Sequence, residues 1–211
     1  MPVYEEKQPF LKRSFDILLS FTGLIGSLPL WSLFSLVIKL TDGGPVFYLQ
    51  ERVGKDGKIF KVYKFRSMIP NAEKDAGPVQ AQENDPRVTR VGRLLRATAM
   101  DELPQLWNIL IGDMSFVGPR ALRPEELEVS AGNPQNLSIQ SIPGYKERVR
   151  VQPGLTGIAQ IYIPADAPRQ KKFRYDLLYV KKQSFLLDLK LILLSFWITF
   201  KGKWESREKK L

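Results

Sequence analysis

The chain has 211 residues, and 44% of them are hydrophobic, which is enough for one domain with a sizeable core. It carries 32 Lys and Arg against 22 Asp and Glu, a formal net charge of +10, which favours phosphate-bearing partners, an anionic membrane surface or nucleic acid. The sequence contains neither Cys nor His, which excludes disulfides, zinc sites built on thiolates or imidazoles, and nucleophiles activated by histidine. Any chemistry must therefore use carboxylates and cations, with or without a hard metal ion.

An uncharged run of 22 residues, Ile17 to Ile38, follows the basic pair Lys12 and Arg13. As a helix this run would be about 33 Å long, enough to cross a bilayer core. Pro29 lies just past its middle and predicts a kink or break. Cationic residues flank both ends, so the positive-inside rule places both in the cytoplasm. Together these features favour a re-entrant helix hairpin in one leaflet, with a single-span anchor and a buried core helix as the alternatives.

Two apolar, β-branched runs follow, at residues 46–53 and 58–68, and a Gly-containing turn at 54–57 separates them, so we predict a β-hairpin. Residues 69–87 contain three prolines and are typical of a loop. The second run should bring four cations close together, although a solvent-exposed strand face is the alternative interpretation of Lys58, Lys61, Lys64 and Arg66.

Four arginines then recur at every third position: Arg87, Arg90, Arg93 and Arg96. On a helix this spacing keeps neighbouring guanidinium groups within reach of one anion or one anionic surface. An exposed basic helix that contacts lipid headgroups is the ordinary alternative.

A carboxylate pair, Asp101 and Glu102, comes directly after this row, followed by Pro104 in a first helical turn. A helix beginning near Asp101 and ending at Gly112 would place one apolar face at Leu103, Leu106, Trp107, Leu110 and Ile111. A helix N-terminus stabilises ionised carboxylates and attracts phosphate. The pair can therefore act as a nucleophile, a general base or Mg²⁺ ligands, with ordinary helix capping as the alternative.

The C-terminal part has three informative stretches. Ser130 to Gly144 has no charged residue and is predicted to be a loop. The glycines Gly154 and Gly157 predict backbone bent around a ligand or a tight corner. Residues 184–200 are mostly apolar but too short to span a bilayer, so an interfacial or core helix is expected.

Eight ordered blocks give the chain a resemblance to the bacterial sugar transferase family, in the short form of the monotopic phosphoglycosyl transferases. The blocks are Lys12 to Asp16, the run broken by Pro29, Gly44 to Phe47 with Gln50 to Gly54, Tyr63 to Met68, Asp101 to Leu106, Gly112 to Arg120, Pro153 to Gly157 and Ser184 to Lys190. Two positions depart from the family pattern: Leu28 and Ala99 each stand where a Ser is common.

The resemblance implies transfer of a phosphosugar from a UDP-sugar to polyprenyl phosphate, with release of UMP, as a first membrane step of glycoconjugate assembly. It implies that Asp101 is the nucleophile that forms a phosphosugar-aspartate, and that Glu102 lies near Mg²⁺, so both carboxylates are candidate metal ligands. It also implies that Lys64, Arg96 and Arg120 hold phosphates or the nucleotide. The implied location is the cytoplasmic face of the bacterial inner membrane, against anionic lipids.

We therefore predict a mostly helical α+β, membrane-associated domain with a re-entrant N-terminal hairpin at residues 1–40. A catalytic part with a small β-hairpin and amphipathic interfacial helices would follow at 41–211. We expect no nucleic-acid partner. The sequence is compatible with an oligomer, and it does not specify which sugar is transferred. Two other functions remain: a basic membrane adaptor without catalysis, and a membrane-bound phosphohydrolase with an Asp nucleophile.

Overall fold

The structure is a computed structural model that describes residues 9–72, 85–130, 133–164, 167–201 and 204. These residues form a mostly helical α+β fold with three two-stranded sheets, which confirms that part of the predicted fold class. The predicted N-terminal tail (residues 1–8), the centre of the predicted loop (73–84) and two residues of the uncharged stretch (131–132) lie outside the described residues.

The first helix, α1, runs from Pro9 to Asp42 and is long and apolar enough to cross a membrane by length and composition. Its outer side exposes large apolar side chains, including Leu18 and Leu33. Both of its ends nevertheless contact the rest of the chain: Phe15 packs on the main core, and Ile38 packs in a second cluster with buried side chains of later elements. Helix α1 therefore lies along the remainder of the domain.

We predicted a kink or a break at Pro29: the break is wrong, because α1 is continuous through this residue, and the kink stays a prediction. A proline removes one amide donor from the helix, here the one that would bond to the Ile25 carbonyl. Here the Ser27 hydroxyl donates to the Leu24 carbonyl at 3.1 Å and accepts from the Trp31 indole at 3.1 Å, so it ties the two sides of the proline together. The re-entrant hairpin itself is not confirmed by the structure.

The predicted β-hairpin is confirmed. Strand β1, Phe47–Val53, pairs antiparallel with β2, Ile59–Phe65, in continuous register. A short 3₁₀ turn, Lys55–Gly57, connects them, and Asp56 and Gly57 have positive φ there. The amide of Asp56 donates to the Val149 carbonyl at 2.7 Å, so the turn is fixed to the C-terminal half.

The arginine row and the carboxylate pair lie on consecutive short elements. Helix α2 spans Arg90–Ala97, a 3₁₀ turn spans Met100–Glu102, and helix α3 spans Gln105–Ile111. The α-helix thus begins later than predicted, because Pro104 takes the N-cap position and the carboxylates lie in the turn ahead of it. Gly112 ends α3 in the left-handed conformation, as predicted.

The buried face of α3 differs from the predicted one. Ile109 and Asn108 are fully buried and Leu106 nearly so, whereas Trp107 and Ile111 are 46% and 51% exposed. The apolar spacing could not distinguish these faces, because α3 carries large apolar residues on its outer side as well as on its buried side.

Strand β3, Ser115–Val117, pairs parallel with β6, Gly154–Thr156. Glycines in and directly after these strands pack too closely to leave space for side chains. A Cβ on Gly154 would lie 2.0 Å from the Gly118 amide nitrogen, and one on Gly157 would lie 2.3 Å from the Gly118 carbonyl. The predicted tight corner is therefore one of backbone against backbone.

The remaining elements complete the C-terminal half. Part of the predicted uncharged loop is wrong, because β5, Asn133–Ser138, pairs antiparallel with β4, Leu127–Ser130, and a 3₁₀ turn follows at Ile139–Ser141. The helices after it are α4 Tyr145–Arg148, α5 Ile158–Tyr162, α6 Arg169–Lys182 and α7 Phe185–Phe200.

Helix α7 joins the core, which confirms the core-helix alternative, and it also presents an apolar outer side, while its interfacial location stays a prediction. Leu191 and Ile198 are almost completely buried, whereas Phe196 and Phe200 are 64% and 86% exposed. Its Asp188 is buried and lies 2.6 Å from the Lys12 ammonium of α1, so the first and last helices are joined by an ion pair.

Candidate active site

One cavity of about 770 Å³ brings together all five predicted site residues: Lys64, Arg96, Asp101, Glu102 and Arg120. They come from different elements, namely β2, α2, the 3₁₀ turn and the segment after β3. Asp101 and Glu102 are both buried, at 8% and 6% exposure, although both border the cavity. The grouping agrees with the predicted site, while the roles of the individual residues stay predictions.

Glu102 is held by two cations. Its Oε1 atom accepts hydrogen bonds from Lys64 Nζ at 2.6 Å and from Arg120 Nη2 at 3.0 Å. Burial alone would raise the pKa of Glu102, but the charges and hydrogen bonds of Lys64 and Arg120 outweigh it and hold the pKa well below its ordinary value. Glu102 is therefore an ionised carboxylate at neutral pH.

Lys64 reaches this carboxylate from the C-terminal end of β2. Burial lowers the pKa of its ammonium group and the neighbouring Arg120 charge acts in the same direction, whereas the Glu102 charge opposes both. The contact with Glu102 thus keeps a cation in a place where water is scarce.

Asn108 sets the distance between the carboxylate turn and the hairpin. Its side-chain nitrogen donates to the Lys61 carbonyl at 2.8 Å, and its side-chain oxygen accepts from the Tyr63 amide at 3.1 Å. Because Asn108 belongs to α3 and is fully buried, these two bonds fix α3 against the edge of β2. Lys64, the next residue along β2, is thereby positioned opposite Glu102.

Arg120 is fixed through its backbone. Arg148 donates from Nη2 to the Arg120 carbonyl at 2.6 Å and from Nε to Asp176 Oδ2 at 2.9 Å. The guanidinium of Arg148 also lies over the Phe173 ring, 4.6 Å from its centroid. These contacts hold the Arg120 backbone while 42% of its side chain remains exposed to the cavity.

The structure separates the members of the arginine row. Arg96 borders the cavity, whereas Arg90 and Arg93 are exposed and do not line it, and Arg87 precedes α2 and pairs with Asp85 at 2.7 Å. Only the last member of the row therefore belongs to the candidate site.

The four cations predicted to cluster on the second run are also separated. Lys64 and Arg66 line the cavity, whereas Lys58 and Lys61 are exposed and do not. Strand alternation explains the split between Lys61 and Lys64, which point to opposite faces of β2, whereas Lys58 precedes the strand.

A ladder of polar side chains on β1 lines the same cavity and was missed by the sequence interpretation. Gln50 donates to the Tyr48 hydroxyl at 2.9 Å, and Arg52 donates to Gln50 Oε1 and to the Ala121 carbonyl, the latter at 3.0 Å. Burial and the charges of Arg120 and Arg123 lower the pKa of Arg52 to about 10, which leaves it charged at neutral pH. Because Tyr48 pairs with Lys64 in the hairpin register, alternation from that pair would have identified the ladder.

The cavity is strongly cationic. Among the described residues that line it are nine Lys or Arg and four Asp or Glu. Such a surplus favours polyanionic ligands in a site shielded from water.

The donor chemistry of the carboxylate pair fits a magnesium ion. Mg²⁺ is commonly held by one or two carboxylates together with oxygens of the substrate phosphates. Asp101 and Glu102 supply those carboxylates, and the described residues contain no cluster of three or more Asp or Glu that would hold a metal without help from a substrate.

Comparisons with known proteins match nearly the whole chain. The family model described as bacterial sugar transferase matches residues 7–202. The chain is 42% identical over 187 residues to the exopolysaccharide production protein PSS of Rhizobium leguminosarum bv. phaseoli, covering 86% of this chain and 91% of that protein. It is 50% identical over 139 residues to a putative undecaprenyl-phosphate N-acetylgalactosaminyl 1-phosphate transferase of Bacillus subtilis (strain 168), covering 66% of this chain and 73% of that protein.

A longer relative matches through only part of its length. The chain is 43% identical over 196 residues to the UDP-glucose:undecaprenyl-phosphate glucose-1-phosphate transferase of Klebsiella pneumoniae, covering 90% of this chain but 40% of that protein. The chain thus spans less than half of this relative.

Proposed function

Because the chain belongs to the bacterial sugar transferase family, we propose that it transfers a sugar phosphate from a UDP-sugar to undecaprenyl phosphate and releases UMP. The observation that carries the proposal is the cavity in which two buried carboxylates lie among a surplus of cations. The names of relatives support the substrates, since they include undecaprenyl-phosphate transferases of different sugars. The product would begin the assembly of an exopolysaccharide, capsule, O-antigen or protein-linked glycan.

In the proposed reaction Asp101 is the nucleophile. One carboxylate oxygen attacks the sugar-bearing phosphorus of the UDP-sugar, a new P–O bond forms, and the bond to the bridging oxygen breaks as UMP leaves. A phosphate oxygen of the polyprenyl carrier then attacks the same phosphorus, and the bond to Asp101 breaks, which restores the carboxylate. The attacking oxygen of the dianionic phosphate carries no proton, so this second step needs no base.

The cations of the cavity make these encounters of anions feasible. The donor diphosphate, the acceptor phosphate and Asp101 all carry negative charge, so a site without positive charge would repel them. Arg120 and Lys64 hold Glu102 and border the space where phosphates would lie, and Arg96 and Arg52 line the same cavity. We assign phosphate binding to these four residues.

Asp101 and Glu102 would hold Mg²⁺ together with substrate phosphate oxygens. Bound there, the ion would supply positive charge that stabilises the departing phosphate of UMP. This assignment rests on the donor chemistry of the pair.

We also propose that the protein is monotopic, on the cytoplasmic face of the inner membrane. Helix α1 has the length and apolarity for membrane insertion, yet both of its ends pack on the catalytic part of the chain. A helix held at both ends by one domain is better suited to lie in one leaflet than to cross the bilayer. The exposed side chains of Trp107, Phe196 and Phe200 would enter the same interface.

The test is UMP release from a panel of UDP-sugars, with and without undecaprenyl phosphate, for the wild type and Asp101→Asn. We expect release with at least one UDP-sugar and none from the variant, together with a phosphosugar adduct on Asp101 in mass spectra of the trapped wild type. Normal turnover by Asp101→Asn would remove the covalent mechanism. UMP release from no UDP-sugar would favour an adaptor, and release of free sugar phosphate independent of the acceptor would favour a phosphohydrolase.

A further inference from the structure

The cavity has two chemically different ends, and strand β1 runs between them. An apolar end, which also contains the buried Arg66, is formed by Pro45, Phe47, Tyr48, Met68, Ile69 and Pro70. A basic end is formed by Arg123, Arg148, Arg169 and Lys172. Along β1, Tyr48 lies at the apolar end and Arg52, which bonds to the Ala121 carbonyl, lies toward the basic end, about 13 Å away for four residues of strand.

The apolar end is connected to the carboxylate pair through Lys64. Tyr48 pairs with Lys64 in the hairpin register, and Lys64 bonds to Glu102 at 2.6 Å. A ligand whose body occupies the apolar end would therefore bring an attached phosphate to Lys64 and the carboxylate pair.

The apolar end also contacts α1, the proposed membrane helix. The ring of Trp31 in α1 lies 5.7 Å from that of Phe47 and 5.5 Å from that of Phe65, and the Phe47 and Phe65 rings stack at 5.5 Å. On the outer side of the same helical turns, Leu33 and Leu36 are exposed. Aromatic contacts thus connect α1, whose outer side is apolar, to Phe47 and Phe65 in the wall of the cavity.

We propose that the apolar end binds the first isoprene units of the polyprenyl phosphate acceptor, an inference that rests on the proposed function. The two substrates differ most in the group attached to the phosphate, because a UDP-sugar is polar throughout whereas the acceptor joins its phosphate to a hydrocarbon chain. Binding of hydrocarbon at the apolar end removes exposed apolar surface from water, as Ile69 is 47% and Phe47 38% exposed. The acceptor phosphate then reaches the phosphorus held on Asp101, and the P–O bond to Asp101 breaks as the new one forms.

The two half-reactions allow a sharp test. Formation of the aspartate adduct releases UMP and does not involve the acceptor, so a single-turnover UMP burst without acceptor reports the donor alone. The variants are Ile69→Ser and Phe47→Ala. The control is Ile59→Ser, which replaces an exposed apolar residue at the other end of the same hairpin, outside the cavity lining.

We expect Ile69→Ser and Phe47→Ala to raise the KM for undecaprenyl phosphate about five- to tenfold while leaving the UMP burst unchanged. Ile59→Ser should match the wild type in both measurements, and an intact burst also shows that each variant is folded. An unchanged acceptor KM in both variants would overturn the inference. So would a higher KM for the UDP-sugar with a normal acceptor KM, since the apolar end would then bind the nucleotide. A wild type that releases no UMP from any UDP-sugar would instead refute the proposed function itself.

Discussion

Lys64 Nζ and Glu102 Oε1 lie 2.6 Å apart, although their residues are separated by 38 positions in the chain. The contact joins the β-hairpin to the turn ahead of α3, and the two side chains are 16% and 7% exposed. A buried ion pair of this kind contributes little compared with an apolar pair of the same shape, but loss of one partner leaves an uncompensated charge. Lys64 and Glu102 are therefore each needed for stability mainly because the other charge is present.

Replacing Lys64 by Met should lower the free energy of unfolding by about 3 kcal/mol, because Glu102 then keeps only the Arg120 contact in a buried place. Chemical unfolding in detergent measures the change. Lys61→Met is the matched control on the same strand, and as an exposed substitution it should stay within about 0.5 kcal/mol of the wild type. Equal losses of unfolding free energy in Lys64→Met and Lys61→Met would contradict the energetic role of the ion pair.

The lowered pKa of Glu102 predicts a loss of stability in acid. The folded-state pKa lies below the ordinary value of 4.5, so the folded protein binds fewer protons than the unfolded chain at low pH. The stabilisation is therefore fully present above pH 4.5 and is lost as the pH falls toward the folded-state pKa, by up to about 1.4 kcal/mol per pH unit.

Glu102→Gln should flatten this acid slope, even though the variant is less stable at neutral pH. The measurement is the free energy of unfolding at several values between about pH 6 and 3, compared as slopes. Glu51→Gln, an exposed carboxylate on the neighbouring strand, should keep the wild-type slope. A variant slope as steep as that of the wild type would assign the acid sensitivity to other groups.

Local signals predicted the hairpin well, and ordered motifs identified residues that the fold brings together in one cavity. The turn at residues 54–57 lies between two β-branched runs, so strand pairing needed no distant information. The Asp101–Glu102 pair and its cations were identified by ordered motifs, and the cavity contains all five of the residues predicted from them.

Features set by distant packing escaped prediction. Arg148 meets Asp176 from 28 positions away, so its role depends on how α6 docks. The prediction of the buried face of α3 was wrong, because apolar spacing does not reveal which side of a helix packs on protein and which side faces outward. Trp107 is exposed and Ile109 is buried, although both are apolar. At Pro29 the predicted break is wrong, and the local rule could not foresee the hydrogen bond from the Trp31 indole to the Ser27 hydroxyl across the proline.

Asn108→Ala should reduce both stability and turnover. The substitution leaves the partly buried Lys61 carbonyl and Tyr63 amide without their side-chain partner, which costs about 2 kcal/mol for the two groups together. It also releases α3 from β2, so the Lys64 ammonium and the Glu102 carboxylate lose their fixed separation. Thermal unfolding and UMP release measure the two effects. Ile111→Ala, at an exposed position on the same helix, should leave the thermal unfolding temperature in detergent unchanged.

The ion pair between α1 and α7 should show strong coupling in a double-mutant cycle. Lys12 Nζ lies 2.6 Å from Asp188 Oδ2 and also donates to the Val117 carbonyl at 3.0 Å, three residues before Arg120. Lys12→Met and Asp188→Leu should each lower the free energy of unfolding by about 3 kcal/mol, because each leaves one buried charge unpaired. The double variant should lose at least about 2 kcal/mol less than the sum of the two.

A parallel cycle of Lys12→Met with Lys190→Met supplies the control, since Lys190 lies two residues from Asp188 but is exposed. Its two effects should add within about 0.5 kcal/mol. Additivity in the Lys12 and Asp188 cycle as well would mean that the pair does not join the two helices energetically. In that case the position of the Val117 carbonyl, and of the turn that leads to Arg120, would depend on other contacts such as the Tyr179 hydroxyl at 3.0 Å.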